Sequence, residues 1–267
     1  MVWRFWEYPP RSGCKSSLDK GANMSNKLPF FATIGNNLGK SVLELYKSLA
    51  LSLWIDVLWF IGYTPIFMVV MLSIQVLPQT PKPQDVFQAV TLFLSFFCIW
   101  HSLVAGPLVT SAYTLYQERK LEYPSIKMYW QGLKKFYWRS VAIYGVFSLA
   151  CSLLALNIIL AFNFQNFLFL ASGIVSLYVL LFILMMSFYF NPLIYLDNPF
   201  KKVIHKAFLL VMDNFLISFG FVLVFGIMVL LCIKFLVLIF ILTVIYGPLL
   251  TYFTDLTFEA VYGRYDS

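Results

Sequence analysis

Between Asn214 and Leu250 the chain runs for 37 residues with a single charge, Lys234. Such a stretch has no polar face to turn toward water, so a bilayer is its natural solvent. As one helix it would be about 55 Å long, well beyond a hydrocarbon core of roughly 30 Å. Two spans of about 18 residues, turning near Cys232 to Lys234, fit that thickness. One long tilted helix is the alternative. Four more apolar stretches of spanning length precede it, at about 49–77, 86–110, 140–161 and 167–190, and the last two spans are then 214–232 and 235–250. The expected fold class is all-α: a polytopic transmembrane helical bundle of about six spans within residues 36–260. An irregular N-terminal segment, 1–35, precedes it and a short tail, 261–267, follows.

Composition agrees. Hydrophobic residues make up 61% of the chain and charged residues 12%, with a mean hydropathy of +0.81. Soluble domains carry about 25% charge. Residues 1–30 hold Pro9, Pro10, Gly13, Gly21 and Pro29, which interrupt any helix, and they lack the continuous apolar run of a signal peptide. Residues 36–48 place Leu38, Val42 and Leu45 at helical spacing and predict a short amphipathic lead-in helix. Pro65 predicts a kink in the first span. Asn163, Gln165 and Asn166 mark an uncharged turn.

Charge sorts the loops. With the N-terminus inside and six spans, 17 of the 19 basic residues fall on the inner side, leaving only Lys82 and Lys234 outside. That is the positive-inside pattern. It favours both ends in the cytoplasm; a five-span chain would put the C-terminus outside. The same sorting accounts for the net charge of +7 without nucleic acid.

Three helix ends look alike. Gly106-Pro107-Leu108-Val109-Thr110 closes the second span and Gly247-Pro248-Leu249-Leu250-Thr251 the sixth, with Asn191-Pro192-Leu193-Ile194 closing the fourth. Each hairpin follows a polar or basic lead-in, at 40–48, 130–139 and 201–213. Three parallel units of lead-in helix plus hairpin are expected. Gly106, Pro107, Asn191, Pro192, Gly247 and Pro248 are then candidate helix breaks, where freed carbonyls line a cavity or meet a neighbouring hydroxyl.

Ionisable residues are rare in the spans, and each costs several kcal/mol unless paired or hydrated (about 2.5–3.5 on insertion scales). Asp56 lies about two turns into the first span, and His101 lies at a similar depth in the second. Two antiparallel neighbours would bring them into contact. Such a pair is either a proton-coupling or substrate-binding site, or a buried hydrogen bond tying the first hairpin. Asn157 is a candidate interhelical hydrogen bond. Asp213, Asp255 and Glu259 read as solvated interfacial charges. No GxSxG, Walker A, HExxH or GxGxxG string is present, and the four cysteines lack paired spacing. No catalytic residue, metal or cofactor is expected.

Asp56-Val57-Leu58-Trp59, Gly106-Pro107 with Ala112-Tyr113 and Leu115-Tyr116, Gly132-Leu133-Lys134-Lys135-Phe136 and Asp213-Asn214-Phe215 together carry a resemblance. The chain resembles the YesL-like family of uncharacterised bacterial integral membrane proteins over roughly 40–260. In that family the position of Asp56 is usually Asn. The resemblance implies a multi-pass protein of the bacterial plasma membrane, sometimes associated with carbohydrate uptake. The functional expectation is a transport-related or accessory protein for a small polar solute, in contact with lipid and with other membrane subunits or itself. The alternative is a structural or scaffold subunit with no transport activity of its own.

Overall fold

The computed structural model describes residues 30–47, 49–76, 83–118, 126–164, 166–234 and 236–262. Of the expected irregular segment 1–35, residues 1–29 lie outside them, as do most of the proline-rich loop at 78–85 and the tail from 263, whereas 30–35 are helical and not irregular. Among the described residues the structure is helical, without strands. The helices are α1 (Phe30–Lys47), α2 (Leu49–Val76), α3 (Pro83–Trp100), α4 (Gly106–Glu118) and α5 (Ile126–Phe164), followed by α6 (Phe167–Ser187), α7 (Phe190–Tyr195), α8 (Phe200–Asp213), α9 (Phe215–Lys234) and α10 (Leu236–Tyr262). A π-helical segment, His101–Ala105, joins α3 to α4.

Three of these stretches are long and apolar enough to cross a bilayer: Gln84–Gln117, Lys127–Asn163 and Phe167–Ser187. The α8–α9 pair, bent by 95°, passes the same test taken together. Their outer surfaces are oily. Phe167, Leu168, Ile174, Val175 and Tyr178 are exposed on α6, as are Val146, Leu149 and Leu153 on α5 and Trp54, Phe60, Ile61 and Met68 on α2. Water does not tolerate so large a continuous apolar surface, whereas lipid tails do. The protein is an all-α membrane protein.

The long apolar stretch after Asn214 is two helices, α9 and α10, that pack on each other. Residue 235 between them lies outside the described residues. Asn166 starts α6, its side chain accepting from the Leu168 backbone N–H at 3.2 Å, an N-cap at the expected uncharged turn.

Several local readings are corrected. The lead-in at 130–139 is not a separate element. It is continuous with the following span in the 39-residue α5, which is about 58 Å long. Nothing between Trp130 and Leu160 breaks a helix, and the turn from basic to apolar composition changes only its surroundings. Pro65 lies inside α2, which continues across it. In the turn before Pro65, the Gly62 carbonyl accepts from Trp100 Nε1 at 2.7 Å. The expected second and sixth spans do not close at Gly-Pro. α4 continues to Glu118, and α10 runs through Pro248 to Tyr262. Asn191-Pro192 lies inside the short α7 and not at the end of α6.

Pro107 shows why a helix continues past a proline. It is the second residue of α4, immediately after the π turn in which the Gly106 N–H reaches back to His101 O. Pro107 has no N–H for the carbonyl four residues back. That carbonyl, on Leu103, accepts instead from the Tyr137 hydroxyl of α5 at 3.2 Å. A tertiary donor replaces the missing local one.

Among the described residues the core has three parts. The largest joins α5, α6, α7 and α8 with the end of α10, through Phe136, Tyr144, Phe190, Val203, Leu210 and Phe258. A second joins α2, α4 and α10 through Ile55, Ala112, Tyr116 and Tyr252. The third sets Phe221 of α9 edge-on against Phe253 of α10, with ring centroids 4.3 Å apart.

Candidate functional site

α4 is the centre of the bundle. Every residue from Val109 to Tyr116 is buried, with α2, α5 and α7 packed around the helix. Yet its sequence, GPLVTSAYTLYQE, is less apolar than those of α2 and α5, which pack on it. A helix buried on all sides is normally hydrophobic all round. This one carries serine and threonine hydroxyls, and they bond within the helix. Thr110, Ser111 and Thr114 donate back to the carbonyls of Gly106, Pro107 and Thr110 at 3.1, 2.8 and 2.9 Å. Such back-bonding is the usual way a membrane helix accommodates Ser and Thr.

One polar knot sits at the π turn. His101 is 4% exposed and is enclosed by Phe97, Tyr144 and Phe147, with centroids 5.0, 5.2 and 5.7 Å away. Its Nδ1 lies 2.7 Å from Ser148 Oγ. The Ser148 hydroxyl proton goes to the Tyr144 carbonyl at 2.5 Å. With that proton on the Tyr144 carbonyl, Ser148 Oγ accepts from His101, the arrangement of a ring protonated at Nδ1. Nε2 is then the acceptor, and the Tyr63 hydroxyl faces it at 3.5 Å. This polarity is the reverse of an activated serine, whose hydroxyl donates to the imidazole. One turn away the Tyr144 hydroxyl donates to Asn191 Oδ1 at 2.8 Å, and Thr110 Oγ1 lies 3.0 Å from the same oxygen.

A second knot lies toward the end of α4. The Tyr113 hydroxyl donates to Asp255 Oδ1 at 2.7 Å, and Gln117 Nε2 donates to the Tyr113 oxygen at 2.9 Å and to Asp255. Asp255 is 2% exposed. It is a core acceptor, not the solvated charge its sequence position suggests, because α10 continues past Pro248 and carries it against α4. Asp213 and Glu259 are exposed.

The expected Asp56–His101 hydrogen bond is not formed. His101 turns both nitrogens to Ser148 and Tyr63. Asp56 lies on the face of α2 that packs on α10, between two fixtures. On one side Ser52 Oγ and Tyr252 OH are 2.7 Å apart. On the other, Trp59 covers Gly247 so closely that a Cβ there would lie 2.7 Å from its ring. Asp56 is 8% exposed, and its buried Oδ1 has no hydrogen-bond partner.

The helix-break residues are packed positions. Gly106 has ordinary helical angles, φ −58° and ψ −54°, so conformational freedom does not explain a glycine there. Space does: a Cβ on Gly106 would lie 2.5 Å from the ring of Tyr144. Pro107, Pro192 and Pro248 are buried. Asn157 of α5 donates to Ser172 and Ser176 of α6 at 2.9 and 2.6 Å. Among the described residues no group of three His, Cys, Asp or Glu could hold a metal.

Sequence reasoning missed Tyr113, Gln117, Tyr144, Ser148 and Thr110. The available signal was the polarity of 109–117, which contrasts with the oily helices around it. The partners, contributed by α5, α7 and α10, have no sequence signature.

Fold and site define a helical membrane protein with a polar central helix braced by interhelical hydrogen bonds. No protein-family model, curated protein or solved structure matches the chain. The resemblance to the YesL-like family therefore rests on the short motifs of the sequence.

Proposed function

We propose that the chain is an accessory or structural subunit of a membrane assembly that conducts no solute by itself. One observation carries this reading. The Gly-Pro sites, where a transporter would open its backbone to substrate, are filled by the rings of Tyr144 and Trp59. The polar side chains nearby are directed into neighbouring helices. Purified protein in liposomes should take up small sugars no faster than empty liposomes. Saturable uptake by this chain alone would overturn the reading.

A second reading, transport of a small polar solute, has one observation in its favour: the unpartnered Asp56 oxygen on the α2–α10 seam. A buried carboxylate without a partner is a feature of proton and substrate pathways. Asp56→Asn separates the two. Under the structural reading it raises stability by about 1–3 kcal/mol, because the desolvation of a carboxylate is relieved, and uptake of any solute stays absent. Under the transport reading uptake is present in the wild type and lost in the variant. Unfolding midpoints in detergent, together with the liposome assay, report both.

For topology we adopt six spans in a bacterial plasma membrane with both ends cytoplasmic, supported by the sorting of Lys and Arg. Labelling of a cysteine placed at Lys82 by an impermeant reagent added from outside tests it; protection of that site would sink it.

A further inference from the structure

The exposed stripe of α5 changes character once along its length. From Lys127 through Trp130, Lys134 and Lys135 to Trp138 it is cationic and aromatic. From Ala142 through Val146 and Leu149 to Leu153 it is apolar. Trp138, at the change, is 76% exposed. Tryptophan at such a boundary marks the headgroup level of a bilayer.

α8 makes the same change over a shorter distance. Lys201, Lys202 and His205 are exposed in its first half, and Phe208 and Met212 in its second. Its opposite face, Val203, Ala207, Leu210 and Val211, is buried in the core that also holds Phe136 of α5. α8 meets α9 at 95°, so it runs across the direction of that apolar helix. A helix docked on protein along one face, with lysines leading into exposed Phe and Met, has the build of an interfacial helix.

α5 and α8 are in contact. Arg139 of α5 forms an ion pair with Asp197, three residues before α8 begins. That contact fixes the turn beside α5 and engages the nearby carboxylate. Lys134, Lys201 and Lys202 have no ion-pair partner among the described residues, and Lys135 lies over the Phe136 ring at 4.8 Å.

We infer that Lys134 and Lys135 of α5, with Lys201 and Lys202 of α8, form one surface that binds the phosphate headgroups of anionic phospholipids. The charge selects an anion. The exposed Trp138, Phe208 and Met212 select one attached to hydrocarbon, because a soluble acidic protein would leave those apolar groups in water. Each lysine near an anionic surface is worth about fivefold in affinity.

The test uses the full chain extracted from vesicles of mixed phosphatidylcholine and phosphatidylglycerol, with bound lipid counted by native mass spectrometry. The wild type should retain phosphatidylglycerol in excess over its share of the vesicle. Lys134→Gln, Lys135→Gln, Lys201→Gln and Lys202→Gln combined should reduce that enrichment by at least about tenfold. The corresponding four arginine substitutions should preserve it. Circular dichroism verifies folding, and the Lys201→Gln, Lys202→Gln pair alone serves if the fourfold variant unfolds. Equal retention of the two lipids by the wild type would overturn the inference, as would unchanged enrichment in a folded glutamine variant. Displacement of phosphatidylglycerol by millimolar inorganic phosphate would also overturn it, by showing a site for a soluble anion.

Discussion

Gly106→Val is expected to leave little folded protein. The first added carbon would lie 2.5 Å from Cγ and Cδ2 of Tyr144 and 2.7 Å from its Cβ. The ring cannot swing aside cheaply. Tyr144 is buried, its hydroxyl is held by Asn191, and its edge packs against His101 and Phe190. Overpacking a closed core costs about 1–3 kcal/mol for small insertions, and two further methyl groups should carry valine above about 3 kcal/mol. Denaturant unfolding in detergent measures it. Gly226→Ala is the internal control, because a Cβ there meets nothing within 4 Å; it should be neutral or gain about 0.5–1 kcal/mol from helix propensity. In a Tyr144→Ala background, Gly106→Ala should become nearly neutral, since the clash belongs to the pair. Equal cost in both backgrounds would show that the glycine serves something other than the ring.

Asp255→Leu should be the next most damaging change. The substitution removes the acceptor of the Tyr113 hydroxyl and one acceptor of Gln117. Tyr113 is buried, so its proton is left without a partner in a medium that offers no water. A stranded buried donor costs about 1–3 kcal/mol, and two weakened donors place the expected loss at about 2–4 kcal/mol. Asp255→Asn keeps an oxygen in place and should lose less than half as much. If leucine were tolerated as well as asparagine, the α4–α10 contact would not be a hydrogen-bonded brace. The effect should be confined to stability, with the His101 knot unaffected, because different residues make the hydrogen bonds of the two knots.

Much of the helical layout is legible in the sequence because it depends on local properties. The apolar runs become helices, since a backbone in lipid must satisfy its own hydrogen bonds. Asn166 caps α6, and Asn157 faces serines across the α5–α6 pair. The expected helix ends at Gly106-Pro107 and Gly247-Pro248 failed for the opposite reason. The cost of Pro107 is set by whether Leu103 finds another donor, and that donor is Tyr137, thirty residues later in the chain. The separate lead-in at 130–139 failed because composition reports what surrounds a helix, not where it ends. Asp56 and His101 were each singled out rightly as buried polar residues in apolar runs. Their pairing was not legible, because depth in a span gives no rotational position around the helix axis, and a π turn shifts that position just at His101.

The sequence by itself determined that this is an all-α membrane protein, which stretches are apolar enough for lipid, and that its basic residues gather in particular segments. Those are properties of composition and period. Only the tertiary structure decided that the Gly-Pro sites are filled and that the polar 109–117 segment is the centre of the bundle. It also moved Asp255 from an interface into the core and left Asp56 against α10 without a partner for Oδ1. A hydrogen bond or a ring contact between helices depends on their relative rotation and approach, and neither is written in any one helix.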